Sequence, residues 1–308
     1  MRQEEARGLA IGSLKLAPAP ERGVAPPSSA GDPELEWLLA RRRGRPAPAD
    51  AKPVTAGPPL AAGPQLPSRS APGVVLDVTA VGPSVRIFRV GRPAAFDFEA
   101  GQSMKLGLER ASVRRRYSIA SAPHEAHLEF CIEGVPGGHL TSLLFELVPG
   151  EPIDLSPSAK GSFALRTDRR RHVMVGTVTG IAPLRSMLRE ALFAASSPAR
   201  KSAEAPEFWV LHGASYADEL PYAAELAALA SQDPRVHYLP TVSRPGATRN
   251  QGWSGLEGRV DGLVLPTLRG LGSQRDIAVY ACGHPEMVRA VRDSLEPLGY
   301  LVLDEAYD

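Results

Sequence analysis

Residues Arg114-Arg115-Arg116-Tyr117-Ser118-Ile119-Ala120-Ser121 decide how the rest of the chain is read. Three cations run straight into an aromatic ring, a hydroxyl and an apolar β-branched residue. Guanidinium groups grip phosphate oxygens, a flat ring offers a stacking face, and a serine hydroxyl can donate to a reactive heteroatom. These are the groups a flavin nucleotide needs for its pyrophosphate, its ring and its reactive edge. Taken alone, the same eight residues also describe an edge strand carrying solvated arginines, so the flanking segments decide.

Outward from this stretch, Gly73 to Thr167 breaks into short β-rich runs separated by Gly and Pro turns. Val74–Val81, Val85–Val90, Met104–Leu108, Arg116–Ala120, Leu128–Glu133 and Pro152–Leu155 read as strands, several alternating with period two. Six strands of this kind predict a small antiparallel barrel. Val135-Pro136-Gly137-Gly138-His139-Leu140-Thr141 then leads into an amphipathic turn. Glycines allow close backbone approach, and a helix start leaves amides free for an anion.

From His172 onward strand and helix patterns alternate: His172–Val175, helix 184–194, Phe208–Leu211, helix 222–230, Val236–Thr241, Ile277–Tyr280 and helix 285–295. Alternation predicts a parallel sheet covered by helices, with ligands at the carboxyl ends of its strands. Gly176-Thr177-Val178-Thr179-Gly180-Ile181-Ala182-Pro183 follows the first of these strands and opens the first helix, the pattern of a dinucleotide pyrophosphate site.

Residues 1–72 are dense in Pro, Ala and Gly and lack sustained periodicity, which predicts a largely disordered tail. Within it, Asp32 as cap, Pro33 at the first helical position and Arg41-Arg42-Arg43 in the last turn predict a short helix over about residues 33–43. The expected organisation is a tail over 1–72, a barrel over 73–168 and a nucleotide domain over 169–308.

Composition narrows the function. The 308 residues, 43% apolar, can bury the cores of two domains, and a net charge of +1 excludes a strongly basic nucleic-acid binder. Two distant cysteines, Cys131 and Cys282, form no disulfide framework and cannot ligate a [2Fe-2S] cluster. His124 and His127 lack a third ligand nearby, so no metal is expected. No apolar run approaches the ~18 residues of a membrane span and no signal peptide is evident, so a cytoplasmic monomer is expected.

Phe98-x-x-Gly101-Gln102, Arg115-x-Tyr117-Ser118, Gly138 to Thr141, Thr179-Gly180-Ile181-Ala182-Pro183 and Cys282-Gly283-His284-Pro285-Glu286-Met287, in this order, resemble the ferredoxin-NADP reductase superfamily. The resemblance spans about residues 74–308. It implies an FAD barrel followed by a nicotinamide-nucleotide domain, passing hydride between NAD(P)H and flavin N5 and single electrons to or from a carrier.

Residue by residue, it implies Arg115, Tyr117, Ser118 and Ile119 at the flavin, and Gly138, His139, Leu140 and Thr141 at its pyrophosphate. Thr179, Gly180 and Pro183 fall to the nicotinamide nucleotide. Cys282 and Glu305 shape the nicotinamide pocket, and Tyr307 covers the flavin and gates it.

On the choice of nucleotide, Ser215 stands where many NADP-using relatives have an arginine, which argues for NAD. Arg189 and Arg244 match bacterial NADP-dependent relatives and tip the expectation to NADP. Val178 departs from the glycine usual at its position, and its replacement by Gly is expected to tighten nucleotide binding. With no cluster in the chain, the electron partner is expected to be a separate ferredoxin or flavodoxin, docking near Lys105, Arg110 and Arg114. The alternatives are an NADH-dependent reductase component of an oxygenase and a non-catalytic FAD-binding regulatory subunit.

Overall fold

The computed structural model describes residues 71–196 and 205–307. The expected tail and its helix near 33–43 lie outside the described residues, apart from the last two tail positions, where the first strand begins. Strands β1 (Ala71–Val81), β2 (Val85–Gly91), β3 (Ser103–Gly107), β4 (Arg114–Ser118), β5 (His127–Glu133) and β6 (Pro152–Leu155) form one sheet in the order β4-β3-β6-β1-β2-β5. Every pairing in it is antiparallel. The Ala120 N–H, just past β4, donates to the Glu129 carbonyl of β5 at 2.7 Å and draws the two edges into a barrel. Phe88, Phe130, Met104, Leu106 and Ile119 fill its interior, and helix α1 (His139–Leu144) adds Leu140 and Leu144.

Strands β7 (Arg171–Thr177), β8 (Glu207–Ala214), β9 (Val236–Val242), β10 (Leu256–Glu257), β11 (Ile277–Gly283) and β12 (Leu301–Ala306) form a second, parallel sheet in the order β10-β9-β8-β7-β11-β12. Helices α2 (Ile181–Ser196) and α3 (Ala223–Gln232) cover one face, α4 (Val264–Arg269) and α5 (Pro285–Leu295) the other. From β7 the chain winds outward in both directions, so the switch point lies between β7 and β11, where a crevice opens at the carboxyl ends. Gly283 sits there at φ 127, and a Cβ on it would collide with the Thr177 hydroxyl. That hydroxyl accepts the His284 N–H at 2.8 Å, locking the two strand ends together.

The sequence expectation lacked β10 and α4, and two further differences bear on the site. β4 begins at Arg114 and ends at Ser118, two residues earlier than expected, because all three arginines pair across β3 in the register Gly107–Arg114 to Ser103–Ser118. β12 was not anticipated: half of Leu301–Ala306 is Asp, Glu and Ala, and only β11 beside it makes it a strand.

Candidate active site

Strand geometry sorts the arginine run. Residues two apart share a face of a strand, so Arg115 goes with Tyr117 and opposes Arg114 and Arg116. Arg114 pairs with Asp154 at 3.1 Å, and Arg116 turns onto the Ser103 carbonyl and hydroxyl at 3.3 Å. Among the described residues Arg115 has no acidic partner; it reaches only the Arg114 carbonyl, at 3.3 Å. Tyr117 is half-buried against the barrel core, and burial raises its pKa against the opposing charge of Arg115.

One free cation beside one supported ring fits an FAD pyrophosphate and isoalloxazine. So does the turn before α1: Gly137 takes φ 70 with nothing within 4 Å of where a Cβ would stand. A Cβ on Gly138 would meet the Thr141 hydroxyl at 2.6 Å. The first-turn amides of His139, Leu140 and Thr141 have no intrahelical acceptor. The Thr141 hydroxyl is used internally, accepting from the Val135 N–H at 3.2 Å. Ile119 and Leu140 point into the core, so only their backbone can touch a cofactor.

The crevice of the parallel sheet holds about 900 Å³, lined by Thr177 to Thr179, Ser215, Arg244, Arg259, Gly283 and Tyr307 among others. Gly180 is required beneath it, because a Cβ would run into the Cys282 carbonyl. Pro183 is buried in the first turn of α2 and does not line the crevice. Arg244 lies at 3.0 Å from the Tyr216 hydroxyl, and Arg249 sits 3.8 Å from the centre of the same ring while paired with Asp218 and Glu219. Among the described residues Arg259 pairs only with its near neighbour Asp261, at 3.1 Å, and is largely exposed. Glu133 enters from the barrel; burial, and then the facing Glu219, raises its pKa.

Arg189 is elsewhere. Its guanidinium is held by Glu125 at 2.9 Å and Glu225 at 2.8 Å, and it does not line the crevice. It belongs to a network between barrel and parallel sheet that sequence could not show. At its centre Arg185, 6% exposed, donates to the Ala120 carbonyl at 2.7 Å, pairs with Glu225 at 2.9 Å and Glu129 at 3.3 Å, and stacks on Tyr222. The Ser186 hydroxyl donates to the Ser121 carbonyl at 2.6 Å. Helix α2 therefore holds the residues that follow β4.

Ser118, Cys282 and Tyr307 come together at the junction. The Tyr307 hydroxyl lies 3.4 Å from the Ser118 oxygen and 3.3 Å from the Thr179 carbonyl, and contacts the Cys282 thiol. Cys282 is fully buried, and burial pushes its pKa far up, so it remains a neutral thiol rather than a nucleophile. Glu305 pairs in register with Cys282 but opens onto a smaller cleft of about 390 Å³ with Phe163 and Leu303. Its pKa is raised by burial and partly offset by Arg116.

Sequence reading missed Arg259 and His212. A glycine-arginine pair just past β10, on the same carboxyl edge as Arg244, marks the first. A lone histidine within the apolar run Val210-Leu211-His212-Gly213-Ala214 marks the second.

A barrel offering Arg115 and Tyr117 on one face, joined to a parallel sheet with a crevice at its switch point, fits a two-domain dinucleotide oxidoreductase. Comparison with known proteins agrees: residues 72–164 match the family described as Oxidoreductase FAD-binding domain, and residues 174–293 that described as Oxidoreductase NAD-binding domain. Ferredoxin–NADP reductase B of Sorangium cellulosum is 37% identical over 209 residues, 65% of this chain and 79% of that protein. The ferredoxin–NAD(P)(+) reductase component of naphthalene 1,2-dioxygenase/salicylate 5-hydroxylase systems of Ralstonia is 29% identical over 236 residues, 76% of this chain and 66% of that protein. The crystal structure of a ferredoxin NADP+ reductase from Neisseria gonorrhoeae with bound FAD and NADP matches with a TM-score of 0.65 at 24% identity, covering 78% of this chain and 99% of that one. The last likeness shows the fold. The chain belongs to the ferredoxin–NADP reductase family and is an FAD-dependent oxidoreductase that uses NAD(P)H. No helix among the described residues is long and apolar enough to cross a membrane.

Proposed function

We propose that this chain exchanges hydride with NADPH in preference to NADH and single electrons with a separate ferredoxin or flavodoxin. When bound, FAD supplies the conversion between a hydride pair and single electrons. The chain's own residues position and exclude. Arg115 neutralises the pyrophosphate, Tyr117 supports the ring, and Ser118, freed when Tyr307 moves, donates toward the reactive edge. Tyr307 occupies the place at which nicotinamide would reach that edge and yields it on nucleotide binding. Cys282 packs there without reacting.

The observation that carries the NADPH preference is the pair Arg244 and Arg259 on the rim of the crevice beside Ser215, two guanidinium groups able to hold a phosphate monoester where one serine alone would not. Arg189 has no part in it. Exposed Lys105 favours an acidic carrier, whereas Arg114 is already engaged by Asp154. The rival reading is an NADH-dependent oxygenase reductase, favoured by Ser215 itself.

Anaerobic stopped-flow absorbance of the FAD-loaded chain with each nucleotide separates the two. NADPH is expected to bleach the flavin faster, and Arg244→Ala or Arg259→Ala to cut kcat/KM for NADPH by roughly 10- to 100-fold, since a charge-assisted hydrogen bond contributes about 1.5–3 kcal/mol. NADH kinetics should be unchanged. Faster bleaching by NADH, insensitive to both substitutions, would replace this reading with the rival.

A further inference from the structure

Beneath the nucleotide turn lies a buried histidine that the proposed chemistry does not use. His212, on β8, is fully buried with Nδ1 3.2 Å from the Tyr238 hydroxyl and Nε2 3.2 Å from the Val178 carbonyl. A carbonyl only accepts, so Nε2 carries the hydrogen, Nδ1 holds a lone pair, and the Tyr238 hydroxyl donates to it. The imidazole is thus oriented from one end and grips the backbone at the other.

What it grips is unusual. Val178 has φ 45, in the left-handed region where a β-branched side chain crowds its own backbone. Two further contacts hold it there. The Ile181 N–H also donates to the Val178 carbonyl, and the valine side chain packs with Val81, Ile87 and Tyr222 against Val85, Ala120, Cys131 and Ala182. Thr177, Val178 and Thr179 all line the crevice, so the conformation at Val178 sets which way the turn's free amides face.

We infer that His212 is a positioning residue for nicotinamide-nucleotide binding: its Nε2–H holds the Val178 carbonyl so that a valine maintains the left-handed turn that presents amides to the pyrophosphate. The inference rests on the nucleotide reading above. It predicts coupling between a buried imidazole and a backbone angle, which a histidine serving only as core filler would not show.

The test is a double-mutant cycle on the FAD-loaded full chain, with NADP+ affinity measured by isothermal titration calorimetry. His212→Leu fills the space without a donor; His212→Gln offers an amide N–H in its place. In the Val178 chain, His212→Leu is expected to weaken NADP+ at least tenfold, and His212→Gln to recover most of that loss. In a Val178→Gly background, where the angle needs no clamp, His212→Leu should cost less than threefold. The flavin spectrum and FAD retention should stay unchanged throughout.

Equal losses in both backgrounds, or no loss in either, would overturn the inference and leave the nucleotide reading intact. Failure of the unaltered chain to bind NADP+ would remove both. Should His212→Leu not fold, Tyr238→Phe keeps the ring and removes only its orienting hydroxyl. That variant is expected to lose two- to fivefold in the Val178 chain and nothing with Val178→Gly; equal effects there would again overturn the clamp.

Discussion

On the proposed function two strand-to-helix turns, one for the flavin and one for the nicotinamide nucleotide, present amides to phosphates, and they reach their left-handed backbone by opposite means. On the flavin side Gly137 takes φ 70 with open space where a Cβ would be, touching nothing. On the nucleotide side Val178 takes φ 45 with its carbonyl on His212 and its side chain in an apolar cluster built from the barrel strands and the start of α2. A left-handed conformation costs an ordinary residue roughly 1–2 kcal/mol, which glycine avoids. Val178 bears that cost and in exchange its turn is fastened to the barrel. The difference teaches that the flavin turn is locally self-sufficient, whereas the nucleotide turn depends on tertiary contacts.

The largest expected effect tests that fastening. Arg185→Met would leave buried Glu129 with only the partly exposed Arg89 at 3.5 Å, so a loss toward the low end of the about 3–5 kcal/mol of a broken buried pair is expected. Urea unfolding should show a loss of that size; a loss under about 1 kcal/mol would mean the sheets are joined by other means.

Next comes pH. Burial holds His212 and His172 at about 4, against 6.5 when unfolded. The folded rings stay neutral, so the unfolded chain binds more protons below pH 6.5. Stability is fully present above that pH and falls as pH drops toward 4, by about 3 kcal/mol for each ring. Between pH 7 and pH 5 urea unfolding should lose about 2 kcal/mol for each ring, and His212→Leu should remove its share of the slope.

A smaller effect is expected on the flavin side. Gly137→Ala meets no neighbour, so only the backbone cost remains, about 1 kcal/mol, and FAD affinity should fall about fivefold. An unchanged affinity would show that this turn tolerates a side chain as readily as the other does.

Smallest is Val178→Gly. Relief of the left-handed angle is offset by lost packing and by the greater freedom of the unfolded chain. NADP+ affinity should move less than threefold, so the tightening expected from sequence alone is withdrawn. A tenfold gain would restore it.

Legibility in the sequence followed the range of the interactions. The strand pattern of the barrel, the alternation beyond His172 and the shared face of Arg115 and Tyr117 rest on local period, and the sequence displays them directly. Arg189 was misjudged because its partners, Glu125 on the barrel and Glu225 on α3, lie 64 and 36 residues away and no periodicity links them. β12 was invisible because its strand character comes from β11 alongside it. Val178 was recognised as out of place, but the imidazole that compensates for it sits 34 residues on.

The most direct measurement is a single turnover of the FAD-loaded chain with NADPH carrying deuterium at the transferred position of nicotinamide C4, followed anaerobically at the flavin band. The account predicts bleaching with a primary isotope effect, because hydride transfer to the flavin breaks the labelled bond at nicotinamide C4. A flavin band that neither NADPH nor NADH bleaches would contradict it and leave an FAD-binding protein without this chemistry.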